Sequence, residues 1–542
     1  MIQSDFQTIR KAEELSFKEI LPWALIALLM ASAPYLYAWL TAPIGATFTG
    51  ALVNQDDLST YLSAIRQGQD GHLLFHFTFS PEPWEPLFML FPYLLLGHVN
   101  RLLGISALLW FHLARLAALS FTLVCILFWV RVMLPGSRTM QRTGWLFIVF
   151  GGGLGWLLYP PLAQLPDTIR YFPDLALPEL TFSLISHNAP HYAAGLGLLL
   201  LLFICLQKLK QPDASWRWVG SGAVLVIGLA ITYVYHVFVM ALVVAMYGAL
   251  LIYQQRRLPW RTLCMLGAPF LPLLPFIYYY FIVATRDPQW ATYANETHVI
   301  APPPPLGLLL GLGLLAVLAL AGLRRWLRDR QEKLVLIWLI SNLLALYVPL
   351  VLYRGRFTLG LIVPVATLAA YGWETTVFPW LIQKSPTLRP ASLHRSIIWI
   401  TIPSTMLSWL FFWQALSLNK GFPNYLSSAD VEAAHWLATN TNPAQDLILA
   451  YYPLGNFLPA VADTPVFLGQ FFWTPDFSGK LRQIEQFWDV STSSNWREGF
   501  LDEWRITYIV QGSFEQGLAA GAIQPPGRLV YDRSGIRIYE YP

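Results

Sequence analysis

The sequence predicts a polytopic α-helical membrane protein with a small carboxy-terminal α/β domain. Two observations set the first part: 56% of the 542 residues are hydrophobic and only 12% charged, against roughly 25% charged in soluble domains. About a dozen apolar runs also approach the ~20 residues that cross a bilayer. The third observation sets the second part. Beyond about Asn424 the long apolar runs stop and short strand-like runs replace them.

Residues 1–19 are polar and mixed in charge, with Arg10, Lys11 and Lys18, and read as a cytoplasmic interfacial helix. The apolar run Ile20 to Leu40 is too long for a signal-peptide core and has no small-residue cleavage site, so it reads as a retained span. Residues 41–85 form a polar-aromatic loop carrying Asp56, Asp57, Asp70, Glu82 and Glu85, with Arg66 almost the only base. A loop of that length inside a compact protein is usually functional.

Further spans are expected near 86–103, 105–131, 144–160, 190–207, 217–235, 237–254, 260–284, 305–323, 334–353, 357–380 and 396–417. The count is 11 to 13, because 86–103 is interrupted by Pro92, Gly97, His98, Asn100 and Arg101. If the amino terminus is cytoplasmic and every run spans, Arg131, Arg138 and Arg142 fall outside and the later basic clusters are inverted; either this run is re-entrant or another short span is miscounted. Clusters at Lys208/Lys210/Arg217, Arg256/Arg257/Arg261, Arg324 to Lys333 and Lys384/Arg389/Arg395 alternate with loops bearing Asp167, Asp174, Glu179, Asp287 and Glu296. The positive-inside rule puts the basic loops in the cytoplasm. Domain 20–423 is thus transmembrane, and 424–542 is extracytoplasmic on the acidic-loop side. In that tail, Ser427-Ser428-Ala429-Asp430 starts an amphipathic helix to Asn440. Runs at 446–451, 506–510, 528–531 and 536–541 read as strands, with Asp532-Arg533-Ser534-Gly535 as a hairpin turn.

The small net charge of +4 lies in short orienting loops, which excludes a nucleic-acid patch. Cys125, Cys205 and Cys264 sit in apolar runs as small hydrophobes and form neither a disulfide framework nor a metal cluster.

The residues suited to chemistry start with Asp56 and Asp57, which open a short amphipathic helix. A carboxylate at the membrane surface can take the proton of an acceptor hydroxyl. Its neighbour points elsewhere on the helix, where it can cap it, bind a divalent cation or orient a substrate; the alternative is that both only cap a solvated helix. Tyr353-Arg354-Gly355-Arg356 offers guanidinium groups for a phosphate, or else two snorkelling arginines. His187 and His191 lie four apart, with Pro190 interrupting the helical spacing, and suit a substrate, a phosphate, a metal or ordinary polar packing; with no obvious third ligand, packing ranks above a metal. Arg115 lies in an apolar run, where an ionisable group usually faces the bundle interior, as a lipid-phosphate ligand or a packing group. Glu85, with Glu82, could add to a cation site at the acidic pair.

The stretch around Asp56-Asp57 resembles the GT-C superfamily of membrane glycosyltransferases, which includes protein O-mannosyltransferases and aminoarabinose transferases. Asp56 matches the family's acidic position in the first extracytoplasmic loop and Asp57 the second, here Asp where Glu is frequent. Glu82-Pro83-Trp84-Glu85-Pro86-Leu87, Leu96-Gly97 and Ala114-Arg115-Leu116 are similar to later family segments, and the tail is similar to domains of uncharacterised bacterial members. The resemblance implies an inverting enzyme of the bacterial inner membrane. It would move a sugar from a polyprenyl-phosphate carrier to an extracytoplasmic protein, lipid or glycan, with Asp56 as base, Asp57 assisting and Arg354 and Arg356 at the leaving phosphate. No cofactor is implied beyond a possible divalent cation. The competing readings are a lipid or polysaccharide flippase and a non-catalytic envelope scaffold.

Overall fold

The computed structural model describes residues 14–211, 213–293, 300–349, 353–519 and 523–542. Most of the expected amino-terminal interfacial helix, with Arg10 and Lys11, and the loop acid Glu296 lie outside the described residues. Among those described, eight segments are long and apolar enough to cross a membrane: Phe17–Leu40, Ala107–Met133, Arg138–Leu162, Pro190–Leu209, Tyr235–Gln255, Trp260–Val283, Pro305–Arg328 and Arg354–Lys384. Pro390–Thr401 and Pro403–Leu418 form a ninth, bent by 42° where Pro403 has no N–H for the helical ladder. The shorter apolar helices Trp216–Thr232 and Lys333–Tyr347 bring the apolar segments to eleven. This is an integral membrane protein.

The interrupted run at 86–103 is not among these spans. It forms a helix, Phe91–Leu103, of 13 residues, about 20 Å at 1.5 Å per residue and short of the ~30 Å hydrocarbon thickness. We label Phe17–Leu40 α1, Gln55–Asp70 α2 and Phe91–Leu103 α3.

Compactness divides the chain into two units. One comprises Met1–Ala33, Ala114–Tyr279 and Val299–Gln414; the other comprises Pro34–Leu113, Tyr280–His298 and Ala415–Pro542.

In the first unit, polar side chains deal with carbonyls that the helices leave over. Pro34 has no N–H to return to the Met30 carbonyl four residues back in α1. That carbonyl instead accepts the Trp409 indole N–H at 2.9 Å and faces His187 Nε2 at 3.2 Å. Arg138–Leu162 is broken at Gly151-Gly152-Gly153. The freed amides of Gly152 and Leu154 find the carbonyls of Thr401 and Leu310, both at 2.8 Å, and those of Gly153 and Gly155 find buried Asp174 at 3.1 Å. A Cβ on Gly153 would lie 2.3 Å from the Leu310 carbonyl oxygen, so only glycine lets the backbones meet here.

In the second unit, α2 and α3 cross backbone to backbone. A Cβ on Gly68 would sit 2.1 Å from the Leu94 oxygen and one on Gly97 2.0 Å from the Ile65 oxygen. Tyr61 stacks on Tyr93 beside this crossing, ring centroids 4.6 Å apart. Strand β1 (Ala46–Phe48) pairs antiparallel with β2 (Tyr425–Ser427), tying the 41–85 loop to the start of the tail. The tail sheet, β3 (Ile448–Leu449), β4 (Tyr508–Gln511), β5 (Arg528–Arg533) and β6 (Ile536–Glu540), has order β3-β4-β6-β5, with only β3 and β4 parallel. As expected, Ser427 caps a helix, Ser428–Asn440. The β5–β6 turn is two residues, Ser534 and Gly535, both at positive φ, the form that matches strand twist. Apolar side chains fill both faces of the sheet, around Leu437, Val510 and Ile538 on one side and Phe467, Ile509 and Phe500 on the other.

Candidate functional site

Helix α2 begins at Asn54, which adopts left-handed backbone angles and makes no side-chain cap. Asp56 and Asp57 occupy its first turn, where free amides and the helix dipole favour negative charge. Behind them α2 is anchored at its far end: Arg66 pairs with Asp463 at 2.7 Å and Asp70 at 3.3 Å and donates to the Ala462 carbonyl.

The two carboxylates are differently held. Asp56 is exposed and Asp57 half-buried. Gln470, 1% exposed, donates its amide N–H to Asp57 Oδ1 at 3.0 Å. The other end of that amide accepts the backbone N–H groups of Phe472 and Trp473, at 2.7 and 3.2 Å, which fixes its NH2 toward the carboxylate. Tyr452 hydrogen-bonds Asp56; burial first, then the charges of Asp56 and Asp57, push its phenol well above the ordinary tyrosine range, so it stays protonated and donates. Asn456 donates to the Asp56 backbone carbonyl at 3.3 Å. Asp56 thus keeps an open carboxylate while Asp57 is positioned, an arrangement suited to taking a proton on one and holding or orienting a group with the other.

A narrow cleft of about 20 Å³ lies beside Asp56, lined by Gln55, Ser59, Asn456 and the apolar side chains of Leu58, Pro453 and Phe457. Glu82 pairs with Lys480, a buried lysine that also lies over the Phe467 and Trp504 rings. Burial is the largest influence on the Lys480 ammonium and lowers its pKa against the opposing pull of Glu82. Glu85 is exposed. Among the described residues no group of three or more His, Cys, Asp or Glu side chains is placed to hold a metal ion.

The other expected residues lie in the first unit and fall into two groups. Arg356 is ion-paired with buried Glu179 and donates to the Tyr192 hydroxyl at 2.8 Å, while Tyr233 donates to its carbonyl. The His191 ring lies against Tyr192 and Tyr233, centroids 4.3 and 6.2 Å away. Arg354 opens the same short 3-10 turn, half-buried, and makes no ion pair among the described residues. In the second group Arg115 donates to the carbonyls of Ala31 and Ser186, at 3.0 and 2.6 Å. Beside it the His187 ring meets the Ser183 and Met30 carbonyls and lies on Phe412. The two histidines therefore sit in different surroundings. His187 closes the short helix Phe182–Ser186, and Pro190 starts the next helix, which carries His191.

No protein-family model matches the sequence, and no curated protein does. Solved structures do match. An ArnT from Cupriavidus metallidurans bound to undecaprenyl phosphate aligns at TM-score 0.51 and 13% identity, covering 96% of this chain and 98% of that one. The oligosaccharyltransferase of Archaeoglobus fulgidus in its apo form aligns at 0.51 and 13%, covering 91% and 70%. The arabinofuranosyltransferase AftD from Mycobacteria aligns at 0.57 and 14%, covering 97% of this chain and 40% of that one. The chain has the GT-C fold. Within the GT-C fold the match with ArnT runs nearly end to end in both chains, so it takes in the helical region and the tail, whereas this chain spans about two fifths of AftD.

Gln470, Tyr452, Asn456 and Lys480 carry no mark in the sequence, and Glu179 is marked there only as a loop acid. Gln470 and Asn456 lie 413 and 400 residues from the aspartates they touch, and no local spacing records a contact of that separation.

Proposed function

We propose that this protein is a glycosyltransferase that moves a sugar from a polyprenyl-phosphate carrier to an acceptor hydroxyl on the outer face of a bacterial inner membrane. The observation that carries the reading is the carboxylate pair at the start of α2, with Asp56 open and Asp57 held by Gln470. In a single inverting displacement the acceptor oxygen bonds to the sugar's anomeric carbon and its proton passes to the Asp56 carboxylate. The anomeric C–O bond breaks, and its electron pair leaves on the phosphate. Arg354, which makes no ion pair among the described residues, and Arg356, balanced by Glu179, are the proposed phosphate ligands, with His191 beside Arg356. Arg115 and His187 keep a packing role at the α1 carbonyls, and Glu85 borders the loop. A divalent cation on the aspartates is compatible with their oxygen donors.

Charge distribution supports the orientation. Without α3 as a span, eleven crossings from a cytoplasmic start leave Arg131/Arg138/Arg142, Lys208/Lys210, Arg256/Arg257, Arg324 to Lys333 and Lys384/Arg389 all inside. The same count leaves the 41–85 loop, Arg354 and residues 424–542 outside. The undecaprenyl phosphate bound to ArnT supports the donor class.

The test is release of polyprenyl phosphate from a panel of polyprenyl-phosphate sugars by the wild type and by Asp56→Asn, with cell-envelope acceptors present. Release by the wild type that falls at least a hundredfold in the variant is expected. Equal release removes Asp56 from the role. A flippase is the second reading, favoured by the helix broken at Gly151-Gly152-Gly153 against Leu310 and Thr401. Movement of labelled lipid across vesicles without release would support it.

A further inference from the structure

Two buried acids of the second unit, Asp430 and Glu515, take no part in the transfer chemistry; each is 0% exposed. Asp430 accepts the Ser513 hydroxyl at 2.5 Å and the Ser513 N–H at 3.4 Å. Glu515 lies in the first turn of the helix Ser513–Ala519. Its Oε2 reaches back to the Gly512 N–H at 3.0 Å, the return bond by which a glutamate caps the helix it sits in. A Cβ on Gly512 would lie 2.7 Å from Asp430 Oδ1 and 3.0 Å from Glu515 Oε2, so both carboxylates crowd the place where a side chain would stand.

Capping uses one oxygen of Glu515. The other leaves the helix: Oε1 accepts the N–H of Tyr451, 64 residues earlier, at 2.5 Å. Tyr451 is the N-cap of the short helix Tyr452–Phe457. That helix carries Tyr452, hydrogen-bonded to Asp56, and Asn456, which donates to the Asp56 carbonyl. Its middle is fixed by a backbone contact, since a Cβ on Gly455 would lie 2.1 Å from the Leu468 oxygen. Its entry is held by Glu515 and by the Phe514 ring, stacked on Tyr451 with centroids 6.4 Å apart. A hydrogen bond to a carboxylate is about twice as strong as a neutral one, which suits an entry that must keep a phenol seated on a catalytic carboxylate.

We propose that Glu515 positions Asp56: its bond to the Tyr451 N–H sets the start of the 452–457 helix and so seats the Tyr452 hydroxyl on the Asp56 carboxylate. For its effect on rate the proposal rests on the transferase reading. Glu515 touches no reacting atom.

The experiment uses the full chain in nanodiscs. Glu515→Gln keeps a carbonyl oxygen for the Tyr451 N–H, and Glu515→Leu removes it. Tyr451→Pro deletes the N–H with Glu515 in place, at a φ of −67° that proline adopts; Tyr451→Ala, which loses the same ring but keeps the N–H, is its control. Transfer is read as kcat and donor KM. The Tyr452 phenol is read without turnover as its ¹³Cζ NMR signal, assigned by its absence in Tyr452→Phe. Glu515→Leu should move that signal and lower kcat about tenfold, the scale of one lost hydrogen bond to a charged group, with donor KM unchanged. Glu515→Gln should keep both readouts near wild type, and Tyr451→Pro should fall below Tyr451→Ala in kcat. On a Tyr452→Phe background Glu515→Leu should cost little more, because both changes remove the same interaction. An unmoved Tyr452 signal in folded Glu515→Leu would overturn the proposal whatever the rate. So would an unchanged kcat in that variant, an equal loss in Glu515→Gln, or losses that multiply in full on the Tyr452→Phe background. If Glu515→Leu does not fold, equality of Tyr451→Pro and Tyr451→Ala in both readouts overturns it. An inactive wild type whose Tyr452 signal moves in Glu515→Leu and not in Glu515→Gln would sink the transferase reading and leave the positioning role standing.

Discussion

Gln470 holds Asp57 through a hydrogen bond at 3.0 Å. Gln470→Leu keeps most of the side chain's bulk, deletes that bond and takes the acceptor from the Phe472 and Trp473 amides, so its melting temperature is measured beside its rate. A hydrogen bond to a charged group contributes about 1.5–3 kcal/mol, so if Asp57 acts in the transition state, kcat should fall about 10- to 100-fold with donor KM little changed; steady-state release assays check this. Tyr452→Phe removes the donor on Asp56 and should lower kcat about tenfold with donor KM little changed, the scale of a hydrogen bond to a charged group. An unchanged kcat would separate Tyr452 from the reacting carboxylate. These residues also show where the sequence stops informing. Two carboxylates opening an amphipathic helix beside the first span were legible because their meaning is local: charge, helix start and membrane distance all sit within a dozen residues. Gln470 and Asn456 act through contacts 413 and 400 residues away. Arg356 was legible as a membrane-edge cation, but its pairing with Glu179, 177 residues away, was not, and that pairing decides how much of its charge remains for a phosphate.

At the scale of elements, the α2–α3 crossing should be intolerant of side chains. A Cβ on Gly97 meets the Ile65 oxygen at 2.0 Å, so Gly97→Val must push the helices apart. Overpacking of this kind costs about 1–3 kcal/mol, and the variant should melt several degrees lower in detergent than Ala107→Val, which lies outside the crossing. In the sequence this segment reads as an interrupted span, because its leucines count toward hydropathy while Pro92, Asn100 and Arg101 count against it. Its true partner, α2, is polar in composition, and only the glycines at the contact mark the pairing. A second element prediction concerns the turn after β4. Glu515 accepts backbone N–H groups from Tyr451 and Gly512 and lies near Asp430, itself held by Ser513. Burial, with a smaller push from Asp430, raises the Glu515 carboxyl to about 7. Because the folded pKa lies above the unfolded value of 4.5, the folded protein binds the extra proton between pH 4.5 and 7. Stability therefore falls as pH rises through that window, by a few kcal/mol at most, and is flat beyond it. The melting temperature of the tail should drop from pH 5 to pH 8, and Glu515→Gln should flatten that slope.

For the whole molecule, the membrane orientation depends on whether one 13-residue helix crosses. Counting α3 as a span would put Arg131, Arg138 and Arg142 outside and reverse every later cluster; leaving it out aligns all five basic clusters on the side of residues 1–19. The positive-inside bias is strongest in short loops close to span ends, and these clusters sit in such loops, so agreement across five of them outweighs the hydropathy of a single leucine-rich helix. Cysteine accessibility decides between the two orientations. In a background with Cys264, the exposed native thiol, replaced by serine, a membrane-impermeant maleimide should label Asn495→Cys in intact cells with a permeabilised outer membrane. Thr139→Cys and Thr387→Cys should react only after the inner membrane is opened. Labelling of Thr139→Cys in intact cells together with protection of Asn495→Cys would place the aspartates of α2 in a different compartment from the tail residues Gln470 and Asn456 that touch them, which the covalent path cannot satisfy. An inverted result for all three positions would keep those contacts but put the carboxylates in the cytoplasm, and the polyprenyl-phosphate reading would then require a cytoplasmic donor face.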